Sequence, residues 1–170
     1  MIYFKDLTSL DEEGKYNFIV WKKDELLADL IMSKPIEFSV IDLELWINNN
    51  SLDKNQFFKC VCRKSDSKVI GLARLMFIDR DSKVAEIGLY IGNVEDRNNK
   101  IGSEIIHLLT EFANRELQLN KIYAKINETN TGSIKLFLRL GFILEGILKK
   151  HYYSSIRKDF VDVFIYSKFM

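Results

Sequence analysis

Two hydrophobic periods divide the chain. Over residues 11–32 and again after Ser39, apolar residues recur at helical spacing, whereas between 56 and 92 they alternate. The first spacing predicts helix and the second strand. Residues 2–7 read as a short strand, and residues 11–32 as two helical pieces meeting around Lys22 to Asp24. Ser39 caps a third helix through Asn48, with Ile41, Leu45 and Trp46 on one side. QFFKCVCRK (56–64), KVIGLARLMFID (68–79) and KVAEIGLYIG (83–92) are strands separated by the turn compositions SDS and RDS. From Ile101 the residues Ile105, Leu108, Leu109, Phe112 and Leu117 continue a helical stripe. KIYAKIN (121–127) is a strand, and TGSIKLFLRL is a helix ended by Gly141 as a left-handed stop. Residues 142–152 and 160–169 are two further strands. This order predicts an α+β fold, helices over a mixed sheet of about seven strands, in a single domain spanning 1–170.

Bulk chemistry narrows the function. A chain of 170 residues with 47% hydrophobic and 29% charged residues has ordinary globular composition, and two domains of half that size would both be undersized. The net charge of +1, from 25 basic and 24 acidic residues, disfavours nucleic acid as a partner. The opening MIYFKDLTSLDEEG lacks the basic start and apolar run of a signal peptide, and no stretch approaches a membrane span, so the cytoplasm is the expected compartment. Cys60 and Cys62 share one face of a strand with no histidine nearby. They read as buried or half-buried thiols, and no metal is expected. His107 reads as a solvated helix residue, and His151 stays open.

One segment asks for a ligand. EDRNNKIGSEII (95–106) puts a cationic turn before a long helix. The first amides of that helix have no intrahelical acceptor, and the helix dipole favours an anion there. Asn98 and Asn99 stand where glycine would ordinarily supply positive φ, and asparagine is the non-glycine residue best able to take it. Arg97 and Lys100 add charge suited to a pyrophosphate. A solvated polar loop is the alternative.

AEIGLYIG, RNNKIGSEII, NTGSIKLFLRLGF and LEGILKKHYYSSIRKDFVDV, taken in order, resemble the GNAT superfamily of N-acetyltransferases. The likeness is to the branch of ribosomal-protein N-terminal, spermidine and nucleotide-amino-sugar acetyltransferases, and VWKKDELLADLIMSK is similar to that branch's first helical region. The resemblance implies acetyl-coenzyme A as co-substrate and a splay between the strand KVAEIGLYIG and the strand KIYAKIN. Leu89, Tyr90 and Ile91 would then hold the pantetheine arm. The pyrophosphate turn falls on Arg97, Asn98, Asn99, Lys100, Ile101 and Gly102, followed by Ser103, with Lys100 where the family usually has glycine. Asn130 matches an asparagine near coenzyme A. Phe137 stands near the sulfur, where many relatives carry a tyrosine as general acid.

Acetyl transfer to an amine needs a deprotonated nitrogen, a polarised carbonyl and a leaving thiolate. Glu86 sits in mid-strand among apolar residues and is the candidate base, its alternative being a solvated outward-facing side chain. Phe137 has no proton to give, so Tyr152, Tyr153 or Tyr90 would substitute if an acid is needed. By analogy the acceptor lies against residues 20–48 and 150–160, with Trp21, Asp24, Tyr90 and Tyr153 as candidate contacts, and Asp29, Glu37 and Tyr152 within the same regions. The acceptor expected is a small primary amine (an amino sugar, polyamine or amino-acid derivative) attacking directly in a ternary complex, with the protein a monomer or homodimer. A protein N-terminal acetyltransferase and a non-catalytic acyl-coenzyme-A-binding module are the competing readings.

Overall fold

A computed structural model describes residues 1–97 and 100–170. Asn98 and Asn99 lie outside the described residues. Seven strands form one sheet in the order β1-β2-β3-β4-β5-β7-β6. They are β1 (Ile2–Asp6), β2 (Phe57–Arg63), β3 (Val69–Asp79), β4 (Val84–Ile91), β5 (Lys121–Asn127), β6 (Ile143–Ser154) and β7 (Asp159–Phe169). Every neighbouring pair is antiparallel except β4 and β5, which are parallel. The expected α+β class and mixed sheet are both present.

Helices cover both faces. On one side lie α1 (Glu12–Lys23), α2 (Glu25–Leu30) and α3 (Val40–Leu52). There Phe18, Trp21, Leu27, Leu43 and Ile47 bury against Cys60, Cys62, Leu72 and Tyr90 of the sheet. On the other lie α4 (Ile101–Arg115) and α5 (Thr131–Arg139), whose Ile105, Ile106, Leu109 and Phe137 pack on Ala85, Ile87, Ile122 and Ala124. Each such side chain contributes about 1.5–3 kcal/mol by leaving water, so the two helical layers are held against the sheet by apolar burial. Among the described residues no helix is long and apolar enough to cross a membrane.

The third helix departs from expectation. Ser39 caps it as anticipated, in a reciprocal box with Asp42, but it runs on to Leu52 and buries Leu43 and Ile47. Ile41 and Leu45 are exposed. Both pairs have i, i+4 spacing, so periodicity alone cannot choose between them. The deciding contact is Trp46, one turn beyond Leu43, whose ring meets Phe18 at 5.2 Å and Phe58 at 5.6 Å.

Helix starts show one exception. Asp11, Asp24, Ser39 and Asn130 each accept a backbone N–H of the helix they precede, closing α1, α2, α3 and α5. The helix α4 is preceded by Lys100, which makes no side-chain cap and takes φ 62°, ψ 0°. The left-handed residue is therefore a lysine, at a place where a glycine would cost nothing.

Gly92, just past β4, has no room for a side chain: a Cβ there would lie 1.9 Å from Trp21 Cε2. Gly92→Ala must push the buried indole aside, at about 1–3 kcal/mol. At this chain length that lowers Tm by several degrees, on the order of 2–4 °C per kcal/mol. Gly132→Ala, in the first turn of α5 with nothing nearer than 4.0 Å, should leave Tm unchanged or raise it. Equal melting shifts for the two variants would show that the Trp21 contact does not govern this end of β4.

Candidate active site

The pairing of β4 with β5 is short. Val84, Ala85 and Glu86 face Lys121, Ile122 and Tyr123, and the register goes no further, although both strands continue. On its other side β4 stays paired with β3 through Ile91. Gly92 N–H donates to the Ile70 carbonyl at 2.9 Å. By the two-residue alternation of an antiparallel ladder, Tyr90, Gly88 and Glu86 spend their amides on β3, and those of Leu89 and Ile91 point into the opening. The expected splay is thus in place.

A cleft open to solvent occupies this gap. Glu86, Gly88 and Leu89 form one wall, Lys125 and Ile126 the opposite one, and Asn130, Ser133 and Phe137 of α5 close one end. Residues Leu30 to Met32, at the end of α2, and Arg74 and Met76 of β3 complete it.

The wall from α2 is held by its own carbonyls. A helix end leaves carbonyls without intrahelical partners. Here Asn127 Nδ2 donates to Asp29 O at 3.3 Å, Asn130 Nδ2 to Leu30 O at 3.2 Å, and the Tyr152 hydroxyl to Ser33 O at 3.2 Å. The buried Asp29 carboxylate in turn accepts from the Ser154 hydroxyl at 2.9 Å and the Ser155 amide at 3.0 Å, tying α2 to the β6–β7 turn.

Asp96 and Arg97, after β4, are fixed as firmly. Arg63 Nη2 reaches both oxygens of the buried Asp96, at 2.7 and 3.0 Å. The guanidinium of Arg97 donates through Nε to Ile91 O at 3.1 Å and through Nη2 to Gly92 O at 2.9 Å. Arg97 thus spends two of its donors on the end of β4 instead of pointing wholly at a ligand. Gly102 packs against Leu136, a Cβ there meeting its Cδ2 at 2.9 Å, and Ser103 Oγ accepts from Arg139 Nη2 at 3.0 Å. These contacts set the start of α4 beside α5. The amides of Ile101, Gly102 and Ser103 precede the first intrahelical bond, from Glu104 N to Lys100 O.

Of the residues singled out by sequence, Glu86, Leu89, Asn130 and Phe137 come together in the cleft. Others do not. Trp21 is buried, donating to Asn93 Oδ1 at 3.2 Å and packing edge-on to Tyr90. Asp24 caps α2 through Leu27 N at 3.0 Å. The Tyr90 ring lies in the core beneath α1, where burial drives its hydroxyl pKa far up. Tyr153 is half-exposed on β6 against Phe160. Tyr152 braces α2 and does not line the cleft. These five side chains are caps, core and braces, roles that the same residue types fill as readily as ligand contact. Asn98 and Asn99 fall outside the described residues.

Two cleft residues were passed over. Lys125 Nζ lies 3.0 Å from Glu86 Oε2 as an ion pair. Burial pulls the Lys125 ammonium pKa down, and the hydrogen bond and charge of Glu86 more than offset this, leaving it above lysine's ordinary value. Tyr123 is raised by burial and by the same carboxylate. Arg74, whose burial pulls its pKa down, stands opposite Gly88, where a Cβ would sit 2.7 Å from Arg74 Nε. A charged residue inside KVIGLARLMFID carries the same signal that singled out Glu86 in the next strand.

Known proteins agree with this architecture. A family model of the acetyltransferase (GNAT) domain matches residues 5–143. The chain is 32% identical over 126 residues to the uncharacterized N-acetyltransferase p20 of Bacillus licheniformis, covering 74% of this chain and 69% of that protein. It is 28% identical over 128 residues to the prophage-derived uncharacterized N-acetyltransferase YokL of Bacillus subtilis, covering 75% and 70%. The spermidine N-acetyltransferase of Vibrio cholerae, solved with coenzyme A and spermine, superposes with a TM-score of 0.87 at 19% identity, covering 99% of this chain and 95% of its own. On the family match and the p20 likeness, the chain belongs to the GNAT acetyltransferases and is an acyltransferase of that family.

Proposed function

We propose that the protein transfers an acetyl group from acetyl-coenzyme A to the primary amine of a small molecule, with Glu86 taking the amine proton. The observation that carries this reading is the strand opening that begins one residue after Glu86. It leaves a carboxylate at the closed end of a cleft whose wall carries unspent amides. The amides of Leu89 and Ile91 suit an extended, amide-bearing arm laid along β4 as an added strand would be. The uncapped start of α4, with Lys100, suits the phosphates. The Vibrio cholerae enzyme with the same fold was solved with coenzyme A and a small polyamine, which supports both halves of the reading.

Acetyl-coenzyme A would supply the thioester. The residues supply binding and proton handling. Glu86 begins paired with Lys125, and an incoming ammonium competes for the same oxygen. Transfer of its proton frees the nitrogen lone pair. As the C–N bond forms and the C–S bond breaks, the nitrogen loses one further proton and the thiol departs with one. A thiol ionises within reach of neutral pH, so a leaving thiolate needs no phenol at Phe137.

Two measurements test this. Glu86→Gln keeps shape and removes the base, so turnover at neutral pH should fall on the order of 10²–10⁴-fold. Coenzyme A affinity should hold, and part of the rate should return as pH rises and more of the amine is already neutral. A rate–pH profile within a few-fold of wild type throughout would remove Glu86 from the chemistry.

Lys100 allows a second test by calorimetry with coenzyme A. Lys100→Gly keeps the left-handed backbone and removes the cation, so affinity should fall about tenfold, the worth of one charge-assisted hydrogen bond. Lys100→Glu should fall further. Unchanged affinity in both would mean that this side chain does not touch phosphate, and no coenzyme A binding in wild type would overturn the acetyl-transfer reading.

A further inference from the structure

Two cations stand on a shared aromatic platform, and one of them, Arg74, lines the cleft. The guanidinium of Arg74 lies over the Phe58 ring at 5.5 Å. Lys22 Nζ, from the last turn of α1, lies 5.3 Å from the Trp46 ring and 5.7 Å from that of Phe18. The rings touch in sequence, Phe18 to Trp46 at 5.2 Å and Trp46 to Phe58 at 5.6 Å. Among the described residues neither cationic group has a hydrogen-bond or ion-pair partner. Glu86, the acid closest in register, is spent on Lys125.

Holding such groups together is unfavourable. Burial, and then the charge of Arg74, pull the Lys22 ammonium down to about 8. Like charges in a water-poor wall disfavour one another. The fold nevertheless makes space for the arrangement: β4 carries no side chain at Gly88, where a Cβ would strike Arg74 Nε. Arg74 pairs with Gly88, and Met76 with Glu86, so the cation and the carboxylate are diagonal neighbours on one face, Cα atoms about 7–8 Å apart.

We propose that Arg74, backed by Lys22, reads an oxyanion on the acceptor: the substrate is a small amine that also carries a carboxylate or phosphate a few bonds from its nitrogen. This rests on the reading that the acceptor amine meets Glu86 in the same cleft. The planar fork of arginine suits either oxyanion. A polyamine, cationic at each nitrogen, meets only repulsion from Arg74 and Lys22.

The test is calorimetric titration with matched probes: glycine, β-alanine and γ-aminobutyrate, each against its carboxamide, 2-aminoethyl phosphate against ethanolamine, and spermidine. At least one acid should bind about tenfold or more tighter than its neutral partner, the worth of a charge-assisted contact. The stronger of the carboxylate and phosphate arms identifies the group read. In Arg74→Gln that preference should shrink to threefold or less, in order of magnitude, with coenzyme A affinity unchanged. Lys22→Gln, which leaves Arg74 in place, should lose part of it, and thermal melts establish that both variants are folded. Pairs that bind alike, pairs that do not bind, spermidine as the tightest probe, or a preference that survives Arg74→Gln would each overturn the proposal. A wild type that discriminates acids yet fails to bind coenzyme A would retain the anion site and lose the acetyl-transfer reading.

Discussion

The parting of β4 from β5 is the constraint on which the site depends. A parallel pair that stayed in register would consume the amides of Leu89 and Ile91 and fill the space of the cleft. Here the ladder stops at Glu86 and Tyr123, and β5 turns to pair along its whole length with β7. The far end of β4 is then held by other means. Gly92 lies flat against Trp21, Arg97 takes the last two carbonyls, and the Arg63–Asp96 pair anchors the turn that follows. Unspent backbone in a protein interior is costly, and these contacts confine it to the one edge that opens on the cleft.

The same parting decides where charge can sit. Glu86 marks the last rung, so its side chain is crowded by β5 on one side and open on the other. Lys125, two residues beyond Tyr123, reaches it across the start of the gap. Arg74 and Lys22 lie on the side of the sheet covered by α1 and α3, separated from this pair by one step of β3. The cleft wall therefore carries more positive than negative charge in a chain whose net charge is +1. Overall balance conceals this local excess.

Strands and hairpins were legible because period-2 alternation, turn composition and a late Gly141 (φ +82°) all agree with the fold. The candidate site was legible where the chain breaks its local pattern: Glu86 in an apolar strand, and a cationic turn before a long helix. It was illegible where one residue type has several stable uses. Trp21 and Tyr90 fill core, Asp24 caps a helix, and Tyr152 braces one. The choice between the Ile41/Leu45 and Leu43/Ile47 stripes of α3 was equally hidden, since it turns on where Trp46 meets Phe18 and Phe58. Arg74 broke the pattern of β3 as plainly as Glu86 broke that of β4, but the meaning of its charge depends on the facing Gly88, a cross-strand fact.

Lys100 shows how local backbone and chemistry can be separated. Glycine at such a turn supplies left-handed φ and bare amides together. This chain keeps the left-handed φ at 62° with a lysine. For a residue with a Cβ that conformation costs on the order of 1–2 kcal/mol, which the surrounding contacts of Arg97, Asp96 and Ser103 must offset. On the acetyl-transfer reading proposed above, the exposed Lys100 ammonium at the positive end of α4 would add charge for a phosphate to amides that already favour an anion. On that reading Lys100 would place a cation beside the first amides of α4, and phosphate binding there should weaken with salt more steeply than binding through amides alone.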